Sequence, residues 1–150
     1  MTRIDEGTGR TSVSEADAVA SSAAAKLGLK QDDLVQEFGY DDDVDFDLRD
    51  DIEDVVGSEL LDEDDHEVAD AALLWWREGD GDLVDALVDS LTTLEENAVV
   101  WVLTPKAGRD GYVAPAEIQE AAPTAGLHVT SSAGVSKDWS ATRLVTARRQ

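Results

Sequence analysis

The sequence predicts an α/β fold: a mostly parallel five-stranded sheet with helices on both faces and a C-terminal antiparallel strand. Three observations carry that expectation. Two short runs, Ala71–Trp76 and Ala98–Leu103, are apolar at every position, as strands covered on both faces must be. Segments whose apolar residues stand three and four apart lie before, between and after them, which is helical spacing. Strands alternating with such helices are joined by right-handed crossovers and give largely parallel sheets.

Residues 1–12 (MTRIDEGTGRTS) are polar and lack an apolar period, which predicts a disordered tail, with residues 13–150 forming one α/β domain. A first helix starts at Ser14 as N-cap, with Asp17 three residues on, and sets Ala16, Val19, Ala20, Ala23, Ala24 and Leu27 on one face before Gly28. Leu34–Phe38 is the first strand, ending at Gly39. An acidic helix follows, with Leu48, Ile52, Val55, Val56 and Leu60 on one side and Asp47, Asp50, Asp51 and Asp54 on its wet side. Asp62–Glu67 is an acidic connection to the strand Ala71–Trp76. Asp82 caps a helix carrying Leu83, Val84, Leu87, Leu91 and Leu94. Ala98–Leu103 is the third strand. Pro115 opens a short helix that Pro123 and Gly126 end near Ala122. Leu127–Ser131 and Thr142–Thr146 form a closing strand pair.

The chain of 150 residues is long enough to bury roughly 70% of its unfolded surface in one core. It has no cysteine, which excludes disulfides, thiolate metal sites and Cys nucleophiles. Its longest apolar runs are far below the ~20 residues of a membrane helix. Glu15 and Asp17 precede the Ala-rich stretch Ala18–Ala25 where a secretory signal needs positive charge, so the expected location is the cytoplasm.

Charge is placed unevenly. Of 34 acids and 12 bases, giving a net charge of −22, all but four acids lie in residues 1–100, whereas the bases divide evenly between the two parts. Such a surface repels nucleic acid and anionic membranes, so neither is expected as a direct partner. It reads as a solubilising surface, as adaptation to a salty medium, or as a docking face for a basic protein, nucleic-acid mimicry included.

Among chemical motifs, Asp43, Asp45 and Asp47 take positions 1, 3 and 5 of a calcium-loop spacing. Leu48 then stands where glycine is needed and Asp54 where a bidentate Glu is needed, so no metal site is expected; acids opening a helix complement its dipole. His66 lies among acids in a loop and His128 in a strand, and neither has a nucleophile beside it, so no catalytic residue is assigned. Tyr40, Arg77, Lys106 and Arg109 each follow a strand end, where open α/β sheets bind ligands. A closing hairpin brings Lys137 and Trp139 to the same edge. Tyr40, Lys106, Arg109, Lys137, Trp139 and Arg143 are therefore the candidate anion-binding residues, with Gly108 and Gly111 leaving backbone amides accessible. The alternative is that these bases neutralise Asp41, Asp42, Glu78, Asp110 and Asp138. Trp75, Trp76 and Trp101 read as core.

Leu34-Val35-Gln36-Glu37-Phe38-Gly39-Tyr40-Asp41-Asp42-Asp43, Leu73-Leu74-Trp75-Trp76-Arg77-Glu78, Leu103-Thr104-Pro105-Lys106-Ala107-Gly108-Arg109 and Lys137-Asp138-Trp139-Ser140-Ala141-Thr142-Arg143-Leu144 resemble the actinobacterial family of unknown function 3052 over residues 20–146. The resemblance implies an intracellular bacterial protein without an assigned activity. The element order also resembles a trimmed class I methyltransferase, which implies five strands ordered 1-2-3-5-4 with the fifth antiparallel. That fold's cofactor loop has a G-x-G-x-G pattern; here Gly39 is followed by Tyr40-Asp41-Asp42-Asp43, whose carboxylates oppose that of S-adenosylmethionine, and no cofactor is expected. The leading functional expectation is a non-enzymatic accessory or regulatory factor acting through protein partners. The alternative is an anion- or nucleotide-binding domain.

Overall fold

The computed structural model describes residues 27–65 and 67–146. The expected tail, the helix starting at Ser14 and His66 lie outside the described residues. The elements run β1 (Val35–Phe38), α1 (Phe46–Val56), β2 (Ala69–Trp75), α2 (Leu83–Ser90), β3 (Leu94–Pro105), α3 (Pro115–Thr124), β4 (Leu127–Gly134) and β5 (Trp139–Thr146). They form an α/β fold.

The sheet order is β1-β2-β3-β5-β4, the order implied by the methyltransferase resemblance. The expectation of a mostly parallel five-stranded sheet needs correction. The sheet is mixed: β1–β2 and β2–β3 are parallel ladders, whereas β3–β5 and β4–β5 are antiparallel. Leu61 adds a sixth, one-residue segment by a parallel bridge at the outer edge of β1. Its amide donates to the Val35 carbonyl and its carbonyl accepts from Glu37. The cause lies in the hairpin: β5 returns between β3 and β4, so both of its neighbours run against it.

Alternation along the strands separates two cores. Leu73, Trp75, Trp101 and Leu103 pack with Leu48, Ile52 and Val56 of α1 on one face. Leu74, Trp76, Val100 and Val102 pack with Leu87 of α2 and Ile118 of α3 on the other. Trp75, the last residue of β2, and Trp76 just beyond it thus serve opposite layers, as successive residues of an extended chain do.

Element ends move where capping or pairing outranks periodicity. Asp45 caps α1 through the Leu48 amide, and Gly57, left-handed at φ 85°, closes it before Leu60. Asp82 caps α2 as expected, but Leu91 is its C-cap and Leu94 already belongs to β3. Pro123 lies inside α3 instead of ending it, because bonds from the Ala125 and Gly126 amides to Ala121, Ala122 and Pro123 complete the last turn beyond it. Among the described residues no helix is long and apolar enough to cross a membrane.

Candidate functional site

Gly39 ends β1 at φ 77°, and its α-carbon packs against the Trp75 backbone at the end of β2. Only glycine combines that left-handed turn with so close an approach. Arg77, two residues past Trp75, folds back over this junction. Its Nη1 donates to the carbonyls of Gly39 (2.9 Å) and Trp75 (3.2 Å), tying the carboxyl ends of the two strands together. Its Nε and Nη2 form a fork on Asp43 at 2.9 and 2.6 Å, and Nη1 also reaches Asp80 at 3.3 Å. The guanidinium lies 5.4 Å from the centroid of the Trp139 ring. The Arg77 hydrogen bond holds the Asp43 carboxyl below the usual aspartate range, against the opposing effect of partial burial.

A second network lies beneath it. Glu37, nearly buried on β1, accepts a fork from Arg49 of α1 at 2.7 and 2.9 Å and the Trp75 indole N–H at 2.8 Å. Tyr40 covers Arg49 at 4.8 Å from its ring centroid and meets Phe46 edge-on. Glu37 is therefore fully occupied in joining β1, α1 and β2.

Beside the junction lies a cleft of about 540 Å³, bounded by β1, the Glu63–Asp65 connection, the Trp76–Asp80 turn and α2. Phe38, Leu74 and Trp76 give it apolar walls; Asp41, Glu63, Asp65, Asp80 and Asp89 ring it with carboxylates. Among the described residues Arg77 is the one cation on its wall, and Asp43 and Asp80 neutralise it. Buried Gln36 secures the acidic connection by donating to the Asp62 and Asp65 carbonyls, while its own carbonyl accepts from Thr93.

The six residues singled out from the sequence fall in three places. Pro105 pairs with Trp139, and the Lys106 amide donates to the Asp138 carbonyl at 2.9 Å, so the hairpin does come round to the end of β3. Lys106, Arg109, Lys137 and Trp139 share that end. Their side chains have separate surroundings: the Lys106 amine lies against Gly134, Arg109 pairs with Asp138 at 3.2 Å, and Lys137 is exposed. Trp139 is buried edge-on to Trp75 at 4.9 Å. The depression here, about 370 Å³, sets Asp43, Asp110 and Asp138 against the single guanidinium of Arg109. Tyr40 lines the neighbouring cleft. Arg143 does not join the rim: it sits opposite Trp101 within β5 and donates to Thr130. Four residue steps of extended chain separate it from Trp139, roughly 13 Å along the strand.

Sequence reasoning missed Gln36, Glu63, Asp65 and Asp89 as cleft residues, because they come from three segments with no shared local pattern. A glutamine inside an otherwise strand-like run was the one available signal. Among the described residues no group of three His, Asp or Glu side chains is arranged to hold a metal ion.

These features define a class: an α/β domain of methyltransferase-like architecture with a carboxylate-lined crevice at the ends of its first two strands. Solved structures share that architecture. The mitomycin 7-O-methyltransferase MmcR superposes with a TM-score of 0.60 at 12% identity, over 87% of this chain and 54% of that one, so the chain spans about half its length. The tRNA (m1A58) methyltransferase TrmI from Aquifex aeolicus gives 0.55 at 16% identity over 88% and 69%, and CcbJ from Streptomyces caelestis 0.54 at 11% over 87% and 95%. At those identities the likeness shows the fold alone.

Residues 24–148 match the family described as protein of unknown function DUF3052, and the chain belongs to that family. Uncharacterised proteins of Mycobacterium bovis and Mycobacterium tuberculosis are 59% identical to it over 126 residues, covering 84% of this chain and 79% of theirs. The family resemblance read from the strand-end motifs is thereby established, and its relatives are actinobacterial.

Proposed function

We propose that this protein is a cytoplasmic, non-enzymatic accessory or regulatory factor that uses the methyltransferase fold as a scaffold and acts by engaging a basic protein partner. The observation that carries this reading is Arg77 at the crevice. Its guanidinium bonds the carbonyls at the ends of both β1 and β2 and is clamped by two aspartates, at the position where open α/β sheets receive ligands. The residues there fit S-adenosylmethionine poorly. Asp41–Asp43 follow Gly39 in place of a glycine series, and carboxylates ring the adjacent cleft, so the carboxylate of that cofactor meets like charge. The same field attracts cations and raises the encounter rate with a basic surface.

Affinity capture by the tagged full chain from actinobacterial extract, at about 50 mM and about 150 mM salt, tests the proposal. A basic protein retained in both and weakened by salt is the expected result. Absence of any salt-sensitive partner contradicts it.

A second reading rests on the exposed Lys137 beside Lys106 and Arg109, an end that can receive a phosphorylated or nucleotide ligand. Tyr40 and Arg143 lie outside that group. A thermal-shift screen of phosphorylated metabolites and adenosine cofactors tests it. A rise in melting temperature that Lys106→Ala with Arg109→Ala abolishes supports it, and no rise with any compound removes it.

A further inference from the structure

The cleft between β1 and α2 combines three features that bear on the kind of partner it fits. Its walls are apolar and aromatic, its rim is anionic, and its volume of about 540 Å³ falls within the ~300–1,000 Å³ of clefts that seat small ligands. Strand addition is not the mode of recognition at this edge, because Leu61 already uses the Val35 carbonyl and the Glu37 amide. Recognition here must go through side chains.

An independent feature is Trp76. It lines the cleft and is only 7% exposed, and its indole N–H, like that of Trp139 outside the cleft, has no hydrogen-bond partner among the described residues, whereas those of Trp75 and Trp101 are both satisfied. At the cleft wall such a donor can be satisfied by an acceptor that enters the cleft. The cleft therefore asks for a ligand with positive charge and a neutral acceptor close together. A peptide segment bearing lysine or arginine has both: an ammonium or guanidinium for Glu63, Asp65 and Asp89, and a backbone carbonyl for Trp76. Tyr40, 49% exposed at the mouth, offers an aromatic surface to the cation's aliphatic stem.

We propose that this cleft is the docking site for a basic peptide segment of the partner protein. The inference rests on the partner reading above and adds its location and chemistry.

Calorimetric titration of the full chain with a pool of end-blocked hexapeptides containing two lysines or arginines tests it, with acetyl-lysine and citrulline counterparts as uncharged controls. The charged peptides bind and the uncharged ones do not. Glu63→Gln with Asp89→Asn weakens binding about tenfold, while Asp50→Asn with Asp54→Asn, on the outer side of α1, changes it less than about twofold. Trp76→Phe keeps the ring and removes the N–H; it weakens binding about fivefold while circular dichroism shows a folded protein. If the α1 pair weakens binding as much as the cleft pair, the attraction is a property of the whole surface: the cleft is overturned and the partner reading stands. If no charged peptide binds even at low salt while affinity capture retains a basic protein, the cleft alone fails. If neither binds, both fail.

Discussion

At Gly39 a single missing carbon atom decides whether β1 and β2 can close. An added Cβ would lie inside the contact distance of the Trp75 carbonyl, on a backbone already at φ 77°. Gly39→Ala is expected to cost roughly 2 to 4 kcal/mol in urea unfolding. Gly57→Ala, at a similar φ of 85° but with nothing near its Cβ, isolates the backbone part at about 1 kcal/mol. The charges around Arg77 predict a pH dependence with a definite sign. Asp43 titrates below its unfolded value, so its contribution is complete above the ordinary aspartate range and fades as pH falls through the depressed one. The melting-temperature deficit of Asp43→Asn should be present at pH 7 and close below about pH 4; being half exposed, the pair is worth about 1 kcal/mol at most. Asp51 behaves oppositely. Burial first, then Asp54, Asp47, Asp45 and Asp50, push its carboxyl up, so its ionised form is unfavourable in the folded chain. Asp51→Asn should raise the melting temperature at pH 7, with the gain vanishing as pH falls to the ordinary aspartate value.

Among the elements, α1 divides its work most clearly. Leu48, Ile52 and Val56 are buried against the sheet while Asp50 and Asp54 face outward. Ile52→Ala should cost about 2 to 5 kcal/mol, whereas Asp50→Ala stays within about 0.5 kcal/mol, both read by chemical unfolding. That contrast also marks what the sequence could reveal. The centres of β2 and β3 were legible in their unbroken apolar runs, and α1 in its period, because burial itself writes those patterns. Ends were not legible, since pairing partners set them: Leu91 and Leu94 continue the apolar period of α2, yet Leu94 pairs with Ala69 and starts β3. Pro123 misled for the same reason, because the bonds that carry α3 past it come from residues beyond it. Strand ends bearing Tyr40, Lys106 and Arg109 could be located, and of the acids that the sequence offered to the bases Asp138 is the one that pairs with Arg109. The cleft was invisible because Gln36, Glu63 and Asp89 meet only once the sheet is assembled.

For the whole molecule, a net charge of −22 on 150 residues opposes compaction. Monovalent salt screens that repulsion, so the melting temperature should rise between about 0.01 M and about 0.5 M salt as the Debye length falls from about 30 Å to a few ångströms. A flat response would mean that Arg77–Asp43, Arg49–Glu37 and their like already balance the field. The fold class was legible because alternation of strands and helices is a whole-chain property, and the antiparallel β5 was expected from the element order; the added pairing of Leu61 on β1 was not, since a one-residue bridge leaves no period in the sequence. Fold and charge together describe a methyltransferase-like scaffold, and the proposed function requires that its crevice, where Arg77 is clamped by Asp43 and Asp80, does not take the usual cofactor. Calorimetric titration of the purified chain with S-adenosylmethionine tests that most directly. Absence of saturable binding up to about 1 mM is the predicted result, and a dissociation constant in the micromolar range would contradict the account.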